Sequence, residues 1–206
     1  MSVPAEEATD QERRLLVVNA ARELAEAEGW MGLSVRRVAE RADMDIGDLY
    51  RYFADQEAML AAVAVHGFAD LAAALTAAHA DNPCPERAWA VMSGAYLDFA
   101  YANPAVYDAM LALTPDLALG AAGVPAAPRA VFAALRAALL PLAQGRDPDT
   151  LAEVGWSLLH GVVMLTRGGR LRPEAHQERE AMITERLLWW PCPTSGNPVG
   201  AGYAMP

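Results

Sequence analysis

Three consecutive side chains, Tyr50-Arg51-Tyr52, combine two phenolic hydroxyls with a guanidinium. That set suits the oxygens of a phosphate backbone, which accept hydrogen bonds from hydroxyl and guanidinium donors. Ser34, Arg36 and Arg37 lie shortly upstream and Gln56 shortly downstream, all able to donate to the same kind of partner. Asp45 and Asp48 stand among them and change the chemistry. A carboxylate at Asp48 repels phosphate, but it can accept from the N4 amino group of cytosine in a DNA major groove. Asp45 reads as well as a helix cap.

Two short helices joined by a tight turn would position these residues. Val35, Val38, Ala39 and Ala42 recur at helical spacing behind Ser34, a good N-cap. Asp43-Met44-Asp45 is too short for anything but a turn, and Asp45 can open a second helix with Ile46, Leu49 and Phe53 as its apolar residues. This is a helix-turn-helix pattern, whose second helix enters the major groove.

A second group could bind a small molecule. Trp156 and His160 are four residues apart in Trp156-Ser157-Leu158-Leu159-His160-Gly161 and share a helix face. Trp89, Met92, Tyr96 and Phe99 form a 3-4-3 stripe that Tyr107, Met110 and Thr114 continue, and Met164 follows His160 by four. Two readings stand side by side: plain core, or an apolar pocket with His160 as its polar handle. Methionine suits a deformable cavity.

Residues 11 to 60 resemble the N-terminal domain of the TetR family of transcriptional regulators. The likeness runs through Ala20-Ala21-Arg22-Glu23-Leu24, Gly29, Ser34-Val35-Arg36, Ala39-Glu40-Arg41-Ala42, Gly47, Leu49-Tyr50-Arg51-Tyr52-Phe53 and Glu57-Ala58-Met59-Leu60. The Trp156…His160-Gly161 segment, with Asn103-Pro104-Ala105-Val106-Tyr107-Asp108-Ala109-Met110 before it, resembles the Trp-His-Gly (WHG) type of C-terminal domain in that family. The resemblance implies a homodimeric repressor that binds operator DNA as a double strand and is released by a small, largely apolar effector. It also implies DNA contacts from Ser34, Arg36, Arg37, Asp45, Asp48, Tyr50, Arg51, Tyr52 and Gln56. The pocket it implies is formed by Trp89, Met92, Tyr96, Tyr107, Met110, Trp156, His160 and Met164. The chain departs from the family at the contact positions: Asp45, Ile46 and Asp48 stand where serine, lysine and threonine are usual, Gln56 where a lysine is, and Asp43 where the turn has glycine. A rival reading follows, a helical ligand- or partner-binding protein that keeps the fold and has weakened or lost operator recognition.

Composition sets the frame. The chain has 206 residues, 54% of them hydrophobic and rich in alanine and leucine, which favours helix throughout. The expected fold is all-α, with about nine helices near 10–28, 34–42, 46–53, 56–80, 86–102, 104–113, 129–143, 149–167 and 174–190. Residues 1–9 and 191–206 are expected to be disordered, 10–55 to form the helix-turn-helix domain, and 56–190 the effector-binding and dimerisation domain. Val154, Leu158, Val162 and Leu165, with Ile183, Leu187 and Trp190, suit a face between two copies. The net charge of −10 opposes DNA binding, and residues 11–66 alone hold ten carboxylates against seven arginines. No uncharged apolar run long enough for a membrane span and no basic, apolar leader is read, so a cytoplasmic protein is expected. No Gly-x-Ser-x-Gly, phosphate loop or HExxH is present, and neither the four histidines nor Cys84 and Cys192 have ligand spacing. Enzymatic activity, metal and cofactor are not expected.

Overall fold

Strong helix formers separated by Pro and Gly punctuation give a chain of helices. The computed structural model, which describes residues 5–80, 84–112 and 126–186, contains α1 (Ala5–Glu28), α2 (Val35–Arg41), α3 (Ile46–Tyr52), α4 (Gln56–Ala80), α5 (Pro85–Ala102), α6 (Pro104–Ala112), α7 (Ala126–Leu139), α8 (Pro148–Arg167) and α9 (His176–Ala181). No strand occurs among the described residues, so the fold is all-α. Thr114, Leu187, Trp190 and the tail 191–206 lie outside the described residues, as do 1–4, 81–83 and most of the segment 116–128.

Local chemistry explains the breaks. Asp55 accepts the Ala58 N–H at 2.7 Å and opens α4, and Asp147 does the same for Thr150 at the start of α8. Prolines occupy the first positions of α5, α6 and α8, where no helical N–H partner is needed. The corner between α5 and α6 is tight: Asn103 Nδ2 donates to Phe99 O at 3.0 Å, and Pro104 starts the next helix at once.

α4 forms the axis. Met59, Val63, Phe68, Leu71 and Leu75 are buried along it, and it packs against α1, α5, α6 and α7. By length and composition α4 is apolar enough to cross a bilayer, although Glu57 and Asp70 interrupt its apolar run as expected. Its apolarity has another use here, because a central helix meets protein on several sides. At Gly67 the side chains of α6 come so near that a Cβ would lie 2.5 Å from Val106 Cγ1 and 2.8 Å from Met110 Sδ.

Three boundaries differ from those expected. α1 begins at Ala5 rather than near Asp10, so residues 5–9 belong to a helix, in keeping with the high helix propensity of Ala5-Glu6-Glu7-Ala8. α7 begins at Ala126, with Pro128 inside its first turn. The last expected helix is broken into a 3₁₀ turn at Pro173–Ala175, α9, and a π-helical turn at Met182–Arg186. Trp89 Nε1 donates to Ile183 O at 3.2 Å, drawing that carbonyl out of the regular ladder. Ile183 and Val162 are accordingly buried within the chain, while Val154, Met164, Leu165 and Met182 are exposed.

Candidate DNA-facing and effector-binding sites

The turn before the reading helix is made by Asp43, whose φ of 50° puts it in the left-handed region. Aspartate tolerates that conformation better than most residues, but glycine does so without steric penalty. Asp43→Gly is therefore expected to stabilise the fold by roughly 0.5–1 kcal/mol, read as a rise of about 1–4 °C in melting temperature.

α2 and α3 open with side-chain caps. Ser34 Oγ accepts from Arg37 N at 3.4 Å, and Asp45 Oδ1 accepts from Gly47 N at 2.7 Å. Leu49 and Phe53 are buried, while Ile46, expected to pack inward, is 43% exposed because it opens α3 on the outer side. Tyr50 is 51% exposed, and Arg51 and Asp48 are exposed beside it.

Every arginine of α2 and α3 has a carboxylate partner. Arg36 Nε meets Glu40 at 3.0 Å, Arg41 Nε meets Glu23 at 2.8 Å, and Arg51 lies 3.6 Å from Asp48. Arg37 pairs with both oxygens of Glu28 and donates to Gly32 O at 2.9 Å. The pairing with Arg37 holds Glu28 below the usual carboxylate range and Arg37 above the usual guanidinium value. Tyr52 turns its hydroxyl to Asp10 at 3.0 Å, Arg14 donates to Tyr52 O and covers the Phe53 ring, and Gln56 donates to Leu33 O at 3.3 Å. Of the expected contact residues, Tyr50 alone has a side chain both exposed and without a described internal partner. The others are gathered on the same end of the molecule but engaged there.

The second group is centred on α5, α6 and α8. Trp156 Nε1 donates to Tyr96 Oη at 3.1 Å, Tyr96 and Tyr107 share a hydrogen bond of 2.7 Å, and Tyr107 Oη lies 2.9 Å from His160 Nδ1. An indole N–H can only donate, so one arrangement satisfies every donor. In it the Tyr96 hydroxyl donates to Tyr107 Oη, the Tyr107 hydroxyl donates to His160 Nδ1, and His160 carries its proton on Nε2. The Trp156 and His160 rings stack at 6.0 Å, and the two tyrosines meet edge to face at 6.1 Å. Burial pushes Tyr96 up to about 12 and raises Tyr107 further, with Tyr96 adding to the effect. Both phenols remain neutral donors.

Burial also holds His160 below its ordinary value of 6.5. An unfolded chain would take up this proton at 6.5, while the folded chain resists it. Stability from this residue is thus complete above pH 6.5 and declines as the pH falls from 6.5 to the lower folded value. Melting temperatures at pH 7.5 and 5 are expected to differ less in His160→Gln than in the parent.

The remaining expected pocket residues are distributed differently. Trp89 anchors Ile183, and Met92 and Met110 are buried. Met164 is 40% exposed, because the inner face of α8 is formed by Leu151, Gly155, Leu159, Val162 and Val163.

Two residues that the spacing did not single out connect these regions. Glu26 of α1 accepts the Ala105 and Val106 N–H groups, each at 3.0 Å, and so caps α6. Trp30 Nε1 donates to Ala105 O at 2.8 Å. The lone tryptophan behind Gly29 was the available signal for the second; nothing local marked the first.

A model for bacterial regulatory proteins of the tetR family matches residues 17–63, and one for a tetracyclin repressor-like C-terminal domain matches residues 89–188. The chain belongs to the TetR family. The second match takes in Tyr96, Tyr107, Trp156 and His160. Among curated proteins, this TetR-family chain is 30% identical over 105 residues to the uncharacterised HTH-type transcriptional regulator YobS of Bacillus subtilis, a stretch of 49% of this chain and 52% of that protein. It therefore spans about half the length of that relative. A Rhodococcus sp. RHA1 protein of unknown function has the same fold at a TM-score of 0.66 and 26% identity, over 84% of this chain and 93% of that one. The TetR-family regulator PfmR of Thermus thermophilus superposes at 0.59 with 22% identity, over 83% and 98%. The family is one of transcriptional regulators rather than enzymes.

Proposed function

We propose that this chain is a ligand-responsive transcriptional regulator, a repressor that binds operator DNA as a homodimer and is released by a small, largely apolar effector. Residues 10–55 read DNA, and residues 56–190 bind effector and pair the two copies. The observation that carries this reading is the double attachment of α6. Its first turn is held by Glu26 and Trp30 of the DNA-reading end, and its Tyr107 is an inner member of the Trp156–Tyr96–Tyr107–His160 chain. An effector that enters beside His160 displaces Tyr107 and so moves α6 against α1. By linkage, it loosens DNA binding as far as it prefers the displaced state. The exposed Val154, Leu165 and Met182 support a partner surface on α8 and the turn after α9.

The pairing of Arg36, Arg37, Arg41 and Arg51 with carboxylates favours a second reading, a TetR-like binding protein with weakened or lost operator recognition. Selection of random duplexes by the full-length protein separates the two. An enriched palindrome, with half-sites about one helical turn apart, is expected of the regulator. No enrichment at low salt leaves the second reading standing.

A further inference from the structure

The ends of α5 and α8 meet α9 and the segment before it at a cleft of about 410 Å³ lined by Thr166, Gly169, Leu171, Pro173, His176 and Arg179. At its wall lie His176 Nδ1 and Arg179 Nε, both buried and without a hydrogen-bond partner, and beneath it the Tyr101 hydroxyl lies beside Thr166 and Glu180. Among the described residues, one further buried side-chain atom, His79 Nδ1, shares that condition, so the orphaned groups are concentrated here. Buried polar groups are nearly always satisfied in a folded protein. Their convergence on a cleft marks a binding site rather than scattered packing defects.

The lining specifies the occupant. Arg179 contributes a permanent positive charge, Thr166 a hydroxyl and His176 a ring nitrogen, and no carboxylate faces the cleft. Glu180, which is not part of the lining, lies 3.2 Å from His176 Nε2 and also faces the Tyr101 hydroxyl. Arg179 is fixed through its NH1, which donates to Arg172 O at 2.8 Å, and that leaves Nε–H directed elsewhere. The Tyr101 ring stands 5.6 Å from the His176 ring. Burial keeps the Tyr101 hydroxyl above its ordinary range and therefore protonated. Leu171 and Pro173 supply an apolar wall.

We propose that this cleft binds a small organic carboxylate, with its oxygens on Arg179 Nε–H and the Thr166 hydroxyl and its hydrocarbon part against Leu171 and Pro173. The site is separate from the Tyr107–His160 group and does not depend on DNA binding. Titration of the full-length protein with hexanoate, followed by calorimetry, tests it, with hexanamide as the uncharged probe. Saturable hexanoate binding is expected, weakened about tenfold or more by Arg179→Gln and Thr166→Val and retained in His160→Gln, because charge-assisted hydrogen bonds are the strong ones. Hexanamide is expected to bind at least that much more weakly. Equal binding of acid and amide overturns the proposal, as does the absence of saturation. Loss in His160→Gln with retention in Arg179→Gln transfers binding to the other site and overturns it too. Thr166→Val changes no charge and leaves the Arg179–Arg172 contact in place, so it carries the test if Arg179→Gln does not fold.

Discussion

Tyr107→Phe is expected to melt roughly 4–12 °C below the parent, from a loss of about 2–3 kcal/mol in a chain of this size. The phenol oxygen is one of the two inner members of a four-member chain, and its removal affects both neighbours. Tyr96 Oη, in a side chain 1% exposed, loses its acceptor and has no water to replace it. His160 Nδ1 loses its donor, though His160 is half-buried and water can compensate in part. Tyr96→Phe makes the comparison informative. It strands Trp156 Nε1, which belongs to a side chain that is not fully buried, so its effect should be smaller despite the same chemical change. Denaturant and thermal unfolding of both variants measures the difference. A Tyr107→Phe protein as stable as the parent would remove the hydrogen-bonded chain as an organising feature. It would also weaken the proposal that α6 transmits effector binding, because Tyr107 is the residue through which α6 senses His160.

The legibility of this molecule follows the range of its interactions. The reading helices could be placed from sequence because their signals are local: Ser34 and Asp45 cap helices within three residues of themselves, and Leu49 and Phe53 bury one face. The Tyr96, Tyr107, Trp156 and His160 group was visible as aromatic residues at helical spacing. Its order was not, because the chain depends on which oxygen faces which nitrogen across three helices. Glu26 caps a helix 79 residues downstream, and no pattern on α1 distinguishes it from Glu23 or Glu28. The π-helical turn after α9 comes from a contact between Trp89 and Ile183, 94 residues apart, where local propensity predicts an unbroken helix. The acidic composition was legible as a total and misleading in detail. Its effect lies in the partners it gives to particular arginines.

Those partners define the prediction with the greatest bearing on function. In the double variant Glu28→Gln, Asp48→Asn, DNA affinity is expected to rise about tenfold or more at 50 mM salt, with a steeper dependence on salt. Arg37 is held by Glu28 through two nitrogens, and Arg51 faces Asp48 one turn earlier on α3. To reach a phosphate, each arginine must first leave a carboxylate, and in the parent that exchange cancels much of the gain. Removing the two charges frees two cations per protomer, or four in a dimer on a palindromic site. Each phosphate newly neutralised adds about 0.9 to the slope of log K against log salt, so an increase of about 3–4 is expected if all four engage. Loss of stability should be small, because Glu28, Arg37 and Arg51 are solvent-accessible and surface ion pairs contribute little. Fluorescence anisotropy on a selected duplex, from 50 to 200 mM salt, gives both quantities in one series. A parent and variant with parallel lines and equal affinity would show that these arginines do not meet the backbone. The contact surface would then have to be sought at Tyr50 and the exposed opening of α3, where Ile46 and Gly47 face solvent.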